Sequence, residues 1–467
     1  MPEPRARLVV GARTVAGLVG VVVGIGVVAA STFLPLPTAR IEPTSVTVTP
    51  VPSAEQLICP GAVLRLGDEL GANATDATAI DSPSTTRAAT TGEIDSRPLA
   101  ATDAGGGLGA PVVLSLPVDS EAGLAGSQSQ SVELSDYRGF AAAECSTPSS
   151  DLWLVGGSTA VGRTTLLTLA NPGAVSATVT VELFGDEGLV EAPGTNGIVV
   201  AAGSQRVLSL AGFAPSLESI AAHVTSRGGP VVANLQQSIV RGIDPAGVDI
   251  IGPTEAPTTA HVIPGVTVRN AVEVQTQIGQ EGYGDLETVL RVLVPGEKPA
   301  ETTVTITPVG EDAESSTFSL TVDAGVVTDV PIDELEDGTY SIAVETDVPV
   351  VASIRASTTS GAAADLAWYS AATELTGDGL VAVAPGPGAS LNLSNTTGAS
   401  ITATLDGVSV EVPARSAVSV EVDDNHTYLL ANGVGLFASV GYAGDGALAS
   451  FAVSASATEE APVVVYP

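Results

Sequence analysis

The sequence is poor in the residue types from which many functional sites are built. Among 467 residues there are three histidines, two cysteines, one methionine and two tryptophans, and aromatic residues make up 3% of the chain. The apolar content is mostly Val, Ala, Leu and Ile, which suit thin, half-buried β-sheets. Such cores leave little room for a ligand cavity. The 51 glycines and 31 prolines fit many short strands joined by turns.

Motifs of common enzyme classes are also missing. The chain has no GxSxG nucleophile elbow, no HExxH, no GxxxxGK[ST] phosphate loop and no CxxC pair. The histidines His223, His261 and His426 stand apart in strands or turns, which indicates satisfied surface or edge residues rather than ligands. We therefore predict no enzyme activity, no cofactor, and no catalytic, cofactor-binding or metal-binding residues.

Basic residues are scarce, since 17 lysines and arginines stand against 52 acidic residues, for a net charge of −35. A surface this acidic repels phosphate backbones, so nucleic acid is not expected as a partner. The acidity fits a solvated exposed domain, or attraction of Ca²⁺ or of a basic partner. The acidic stretches 333–338 and 423–425 are typical of charged turns. In the first, Leu335 and Val344 stand where a calcium loop needs oxygen ligands.

The N-terminus predicts a location. Arg5, Arg7 and Arg13 precede an uncharged run, and residues 14–34 are long enough to cross a membrane as a helix. The charge asymmetry places the N-terminus inside and the bulk of the chain outside the cytoplasmic membrane, in a single pass. A cleaved signal peptide, with its site at Val-Ala-Ala 28–30, is the alternative.

Two pairs of residues have predicted structural roles. Gly20 and Gly24 would lie on one face of the anchor helix and let two copies pack, although glycine is common in this segment. Cys59 and Cys145 follow the anchor, and in an oxidising compartment they predict one disulfide. The chain is therefore a candidate homo-oligomer with one internal crosslink.

A strand–turn–strand stretch occurs three times, at residues 200–210, 322–332 and 412–422, each with a turn at Ala-Gly or Ala-Arg. The alternation predicts a repeated β-hairpin inside antiparallel, immunoglobulin-like β-sandwich modules of about seven strands. The fold class is all-β, with tandem modules after one N-terminal transmembrane helix. The predicted parts are a cytoplasmic N-terminus (1–13), the signal anchor (14–34), a stalk (35–56), a disulfide-linked β region with a low-complexity insertion (57–150), module 1 (151–255), a linker that could add an edge strand (256–285), module 2 (286–375), module 3 (376–458) and a C-terminal tail (459–467).

Several short motifs carry a resemblance to a known family. They are Cys-Pro-Gly at 59–61, Ala-Glu-Cys at 143–145, Trp-Leu-Val-Gly-Gly at 153–157, Leu-Ala-Asn-Pro-Gly at 169–173 and the Pro-Val-Val-Ala copies at 230–233 and 349–352. With the anchor, they resemble an actinobacterial family of membrane-anchored extracytoplasmic proteins of unknown function, often encoded beside a glycosyltransferase. A single lysine, Lys298, and much Ala, Gly and Val also fit a high-GC genome. The resemblance implies a cell-envelope role without catalytic residues.

Two functions follow as expectations. The first is a non-enzymatic, membrane-anchored envelope protein that acts as a scaffold or binds a protein partner outside the membrane. The alternative is a glycan-binding or glycan-modifying protein with a site between modules. Trp153 and Trp368 lie in apolar strand segments, where core packing is expected before sugar stacking.

Overall fold

The computed structural model describes residues 46–48, 55–67, 76–105, 108–117, 123–280, 282–310, 314–333, 335–361, 363–454 and 463–465. Strands dominate these residues, which confirms the all-β class. No helix among them combines the length and the apolar character that a membrane crossing requires. The predicted anchor, with Gly20 and Gly24, lies outside the described residues.

The first and last described strands pair with each other. The strands up to residue 150 are β1 (Val46–Val48), β2 (Gln56–Cys59), β3 (Leu64–Leu66), β4 (Ala77–Ala79), β5 (Ser84–Ala89), β6 (Asp95–Pro98), β7 (Ala100–Ala101), β8 (Ala104–Gly105), β9 (Val112–Ser115), β10 (Leu124–Glu133) and β11 (Arg138–Glu144). The last strand is β36 (Val463–Val465). Strands β1 and β36 form a separate two-stranded antiparallel sheet, which joins the predicted stalk to the predicted tail.

Three modules follow with one shared topology. Module 1 contains β12 (Asp151–Val155), β13 (Arg163–Asn171), β14 (Ala177–Gly185), β15 (Gly188–Val190), β16 (Ile198–Val200), β17 (Ser204–Ser209), β18 (Ala221–Arg227), β19 (Val232–Arg241) and β20 (Asp244–Ile251). Module 2 contains β21 (Thr258–Val268), the helix α1 (Ala271–Ile278), β22 (Val289–Leu293), β23 (Ala300–Pro308), β24 (Ser316–Val322), β25 (Val327–Pro331), β26 (Gly338–Ser360) and β27 (Ala363–Ser370). Module 3 contains β28 (Gly379–Val383), β29 (Ser390–Asn395), β30 (Ile401–Leu405), β31 (Val408–Val412), β32 (Ser416–Glu421), β33 (His426–Ala431), β34 (Leu436–Gly444) and β35 (Ala447–Ala452).

Each module has eight strand positions, A to H in chain order, rather than about seven. One sheet has the order A-F-C-D and the other E-B-G-H. In module 1 the strand β15 is additional, and in module 2 the long β26 serves as both F and G. Strand β21, inside the segment predicted as a linker, takes position A of module 2. The first strand pairs with the sixth, whereas in an immunoglobulin constant domain the first strand pairs with the second.

The repeated strand–turn–strand stretch is not a hairpin, so that prediction is wrong. Strand β16 pairs with β14 in one sheet, whereas β17 pairs with β13 in the other, and modules 2 and 3 repeat this arrangement. The turn therefore carries the chain across the core. Gly203, Gly325 and Arg415 hold its left-handed backbone, with φ of 63°, 77° and 52°. Alternating burial looks the same in a hairpin and in such an arch, because both strands bury one face.

Residues 57–150 contain a fourth, incomplete copy of the topology, which we call the N-terminal module. Its sheets β2-β9-β6 and β11-β10-β5 match positions A-F-C and H-G-B. The match also includes an isolated β-bridge between strand A and the residues that follow strand H. In the N-terminal module this bridge joins Ile58 to Ser146, and in module 1 it joins Trp153 to Thr254. A small sheet, β3-β4-β8, is inserted. The predicted disulfide is confirmed, and it joins the end of strand A to the residues after strand H.

The four modules close into a ring. In each, the A-F-C sheet packs on the B-G sheet of the following module, and the sheet of module 3 packs on β5 and β10 of the N-terminal module. One hydrogen bond marks three of these boundaries, from a serine hydroxyl on strand G to a carbonyl at strand A of the preceding module. These bonds run from Ser353 to Val155 (2.8 Å), from Ser439 to Pro264 (2.8 Å) and from Ser129 to Pro385. At the remaining boundary Gln236 bonds both backbone groups of Leu64.

Candidate functional site

The boundary between modules 1 and 2 gathers charged side chains. Arg291, on β22, is fully buried, and its guanidinium bonds both carboxylate oxygens of Asp329, at 2.7 and 2.8 Å. It also donates to the carbonyl of Gly157 in module 1, at 2.7 Å. Burial opposes the ionisation of Asp329, but the neighbouring guanidinium of Arg291 outweighs it and lowers the pKa of this carboxyl. The ion pair therefore lies within module 2, and the bond from Arg291 to Gly157 links it to module 1.

A second ion-pair group extends this boundary. Asp285, in the segment before β22, accepts from Arg241 at 2.7 Å and from Arg163 at 2.8 Å, both of which belong to module 1. The guanidinium carbon of Arg241 lies 5.3 Å from the ring centroid of Tyr283. One carboxylate of module 2 therefore holds two arginines of module 1.

Arg355 and Trp368 lie between these two groups. Trp368 is 1% exposed, and the guanidinium carbon of Arg291 is 4.6 Å from its ring. Its indole N–H donates to Gln237 at 2.6 Å and its backbone N–H to Asp249 at 2.7 Å. Burial lowers the pKa of Arg355, whose Nε has no hydrogen-bond partner among the described residues. Arg291, Arg355 and Trp368 are therefore all buried at this boundary.

A buried carboxylate lies at the centre of the ring. The final strands of the four modules, β11, β20, β27 and β35, meet there. Asp365 on β27 accepts backbone N–H groups from Phe140 (2.8 Å), Val248 (3.2 Å) and Leu448 (3.1 Å), one from each of the other modules. A Cβ at Gly139 would lie 2.6 Å from its Oδ1, so only glycine fits beside it. Burial raises the pKa of Asp365 well above its usual range, and the N–H donors oppose that shift.

A half-exposed cluster surrounds His223. Its ring stacks on Trp153 with centroids 4.2 Å apart, and its nitrogens lie 3.1 Å from Asp151 and 3.0 Å from Glu182. The two carboxylates lie at opposite ring nitrogens, so they do not converge on one point. The ring of Phe184 also stacks on Trp153, with centroids 6.1 Å apart. The histidine therefore covers Trp153, which is 7% exposed.

The other residues noted in the sequence have structural positions. Both tryptophans are buried, which confirms the packing interpretation and leaves neither ring open for sugar stacking. His261 is buried on β21, an edge strand of its sheet, with Nε2 2.6 Å from the carbonyl of Val350. His426 is half-exposed beside Asp406. The side chain of Asp337 accepts the N–H of Ala271, the first residue of α1.

One small cavity is formed where two modules meet. A cavity of about 120 Å³ lies between the N-terminal module and module 1 and is lined mainly by small apolar side chains. Drug-sized ligands occupy pockets of roughly 300–1,000 Å³. No group of three or more histidine, cysteine or acidic side chains in the described part of the chain is placed to hold a metal ion.

Sequence reasoning missed the arginines and the central aspartate. A signal was present, because Arg291, Arg355 and Asp365 each interrupt an apolar strand run, as in Val-Leu-Arg-Val-Leu at 289–293. A charge on the buried face of a strand requires a partner. The sequence could have shown that partners exist, but only the fold shows which ones.

Comparison with known proteins gives one family. No curated protein matches the chain. A solved structure named "Crystal Structure of Thermotoga maritima 1070" is 18% identical, covers 25% of this chain and 95% of its own, and has a TM-score of 0.21, which carries no argument. The model of the family of unknown function DUF5719 matches residues 101–432. The chain therefore belongs to this family of unknown function.

Proposed function

We propose that the chain is a non-enzymatic scaffold of the cell envelope, anchored in the cytoplasmic membrane by residues 14–34, that binds a protein partner outside the membrane. One observation carries the proposal: buried charged side chains near the module boundaries are already bonded to other groups of the protein. Asp329 and Asp285 hold arginines, and Asp365 holds backbone N–H groups. Such contacts lock four modules into one body with fixed outer surfaces.

The surface and the resemblance support a protein partner. The chain carries a net charge of −35, and several of its arginines are held in internal ion pairs, which leaves an acidic exterior that attracts basic proteins. The family resemblance adds an actinobacterial envelope and a neighbouring glycosyltransferase as the class of partner. A homo-oligomer formed through Gly20 and Gly24 is the competing arrangement.

Crosslinking of the full-length protein in its native membrane, followed by mass spectrometry, tests the proposal. Lys298 is the single lysine, so the reagent should be carboxylate-directed and use the 52 acidic residues. We expect enrichment of one envelope protein. Recovery of the chain crosslinked only to itself, or to nothing, would contradict the proposal. Binding of the detergent-solubilised full-length chain on a glycan array would support the glycan-binding alternative instead.

A further inference from the structure

Strand β24 of module 2 has a free edge. It pairs with β23 from Ser316 to Val322, and no strand in the described part of the chain pairs with its other side. Alternate backbone N–H and C=O groups of an edge strand point away from the sheet and can bond a further strand.

The corresponding edges are shorter, partly paired, or carry a charged residue or a proline. In module 1, β16 has three residues and β17 is covered by β7. In module 3, β31 contains Glu411 and β32 ends at Glu421. In module 2, β25 ends at Pro331. Strand β24 is seven residues long and contains no charged residue and no proline, so it lacks the features that prevent strand addition.

The core of module 2 is open at the same edge. Phe318 and Leu320 on β24 pack on the core but are only half-buried, whereas Val304 on the neighbouring β23 is fully buried. On the opposite face, Thr317 and Ser319 lie exposed beside hydroxyls of β23. A further strand would cover Phe318 and Leu320 with its own inward side chains. A strand that pairs with β24 should therefore have apolar residues at every second position.

The charges around the edge define the rest of the occupant. Residues 300–323 contain five acidic residues and no lysine or arginine. Glu314 and Asp323, near the two ends of β24, are exposed. A second copy of this chain would bring the same carboxylates opposite each other, which is unfavourable. A strand with basic residues on its outward face would instead be attracted.

We propose that β24 binds an extended segment of a partner protein by strand addition, and that this segment alternates apolar residues with residues that include arginine or lysine. The proposal deepens the scaffold function and rests on it, since both require a protein partner. Backbone hydrogen bonds would supply affinity, and the alternating side chains would supply specificity.

Three peptides and the full-length chain in detergent test this proposal. The first peptide is Thr-Val-Arg-Val-Thr-Val-Arg-Val-Thr, the second has Glu in place of both Arg, and the third has Pro in place of the central Thr. Hydrogen exchange followed by mass spectrometry locates the binding site. We expect the first peptide to slow exchange over residues 316–322, and the other two to leave it unchanged.

Matched variants sharpen the test. Asp323→Asn should weaken binding of the arginine peptide about twofold to fivefold, as expected for an exposed charge pair. Ser319→Lys should weaken it further by repulsion, whereas Ser319→Thr should not. Both positions are exposed, so the fold should tolerate these three changes.

Several outcomes would overturn the proposal: no slowing at 316–322, equal binding of the glutamate peptide, or slowing at 316–322 that depends on protein concentration without peptide, which would indicate pairing between copies.

Failure here is distinguishable from failure of the scaffold function. If crosslinking captures an envelope protein through another surface, the scaffold stands and the β24 site falls. If the arginine peptide binds β24 but no partner is captured in the membrane, the reverse holds.

Discussion

Asp365 lies where edge strands of four modules bring backbone N–H groups together. Three of those donors come from other modules, and their bonds to one carboxylate replace the ladder partners that edge strands lack. Arg291 has a similar role at the boundary of modules 1 and 2. It bonds Asp329 in its own module and the carbonyl of Gly157 in module 1. Individual charges therefore set the packing of whole modules.

Substitution Asp365→Asn should reduce the free energy of unfolding by about 3 kcal/mol, because an amide replaces one acceptor oxygen with a donor that faces buried N–H groups. Chemical denaturation of the full-length chain measures the change. The matched control is Asp347→Asn, since Asp347 is exposed, accepts one N–H, from Glu301, and Asn keeps an acceptor oxygen. Equal effects of the two substitutions would contradict the role assigned to Asp365.

Asp249 predicts a pH dependence of stability. Burial raises its pKa to about 8, although the N–H groups of Trp368 and Ile250 oppose the shift. The unfolded chain releases this proton near pH 4 and the native state only near pH 8. The protonated Asp249 therefore contributes its full stabilisation of the native state below about pH 4. This contribution is lost as the pH rises through about 8.

Denaturation curves between pH 4 and 9 test this prediction. In the native chain the free energy of unfolding should fall as the pH rises, and Asp249→Asn should make this fall less steep. One titrating group contributes at most about 1.4 kcal/mol per pH unit. Asp244→Asn, an exposed change on the same strand, should leave the slope intact. A slope unchanged by Asp249→Asn would contradict the prediction.

At the scale of elements, the recurring arch between positions D and E shows how one local pattern serves three modules. Its strands lie in opposite sheets, and the turn residue adopts a left-handed backbone whether it is Gly203, Gly325 or Arg415. Glycine adopts this conformation freely, whereas other residues pay about 1–2 kcal/mol. The repeat thus preserves a geometry rather than a residue type.

Arg415→Gly should therefore raise the free energy of unfolding by about 0.5–1 kcal/mol, and Gly325→Ala should lower it by about 1 kcal/mol. Nothing lies within 4 Å of a Cβ added at Gly325, so backbone strain is the main term there. Thermal and chemical denaturation of both variants measure the changes. Opposite signs are required, and a loss of stability in both would show that the Arg415 side chain contributes more than its strain costs.

At the scale of the whole molecule, four sandwich modules in one chain close a ring. Closure means that the boundary between module 3 and the N-terminal module resembles the other three, with Ser129 in the position of Ser353 and Ser439. The disulfide between Cys59 and Cys145 ties the first and last strands of the N-terminal module. Among the described residues 55–454, each of the four modules therefore contacts two neighbouring modules in the ring.

Ser129→Ala and Ser439→Ala should each lower the free energy of unfolding by about 1 kcal/mol, because each leaves a carbonyl at a module boundary without its donor. Unfolding should remain a single transition in both variants if the ring behaves as one unit. A neutral Ser129→Ala beside a costly Ser439→Ala, measured by denaturation, would indicate that the ring is open at module 3.

The sequence by itself determined the all-β class, the repeat over three modules and the disulfide, because alternation of apolar residues, recurring turns and paired cysteines are local signals. It left undecided which strand pairs with which, since a hairpin and an arch bury the same alternate residues. The fourth module was hidden because it lacks strands D and E and carries an insertion. The partners of Arg291 and Asp365 depend on contacts between residues far apart in the chain. Only the tertiary structure brings those residues together, so only it decided the ring and its centre.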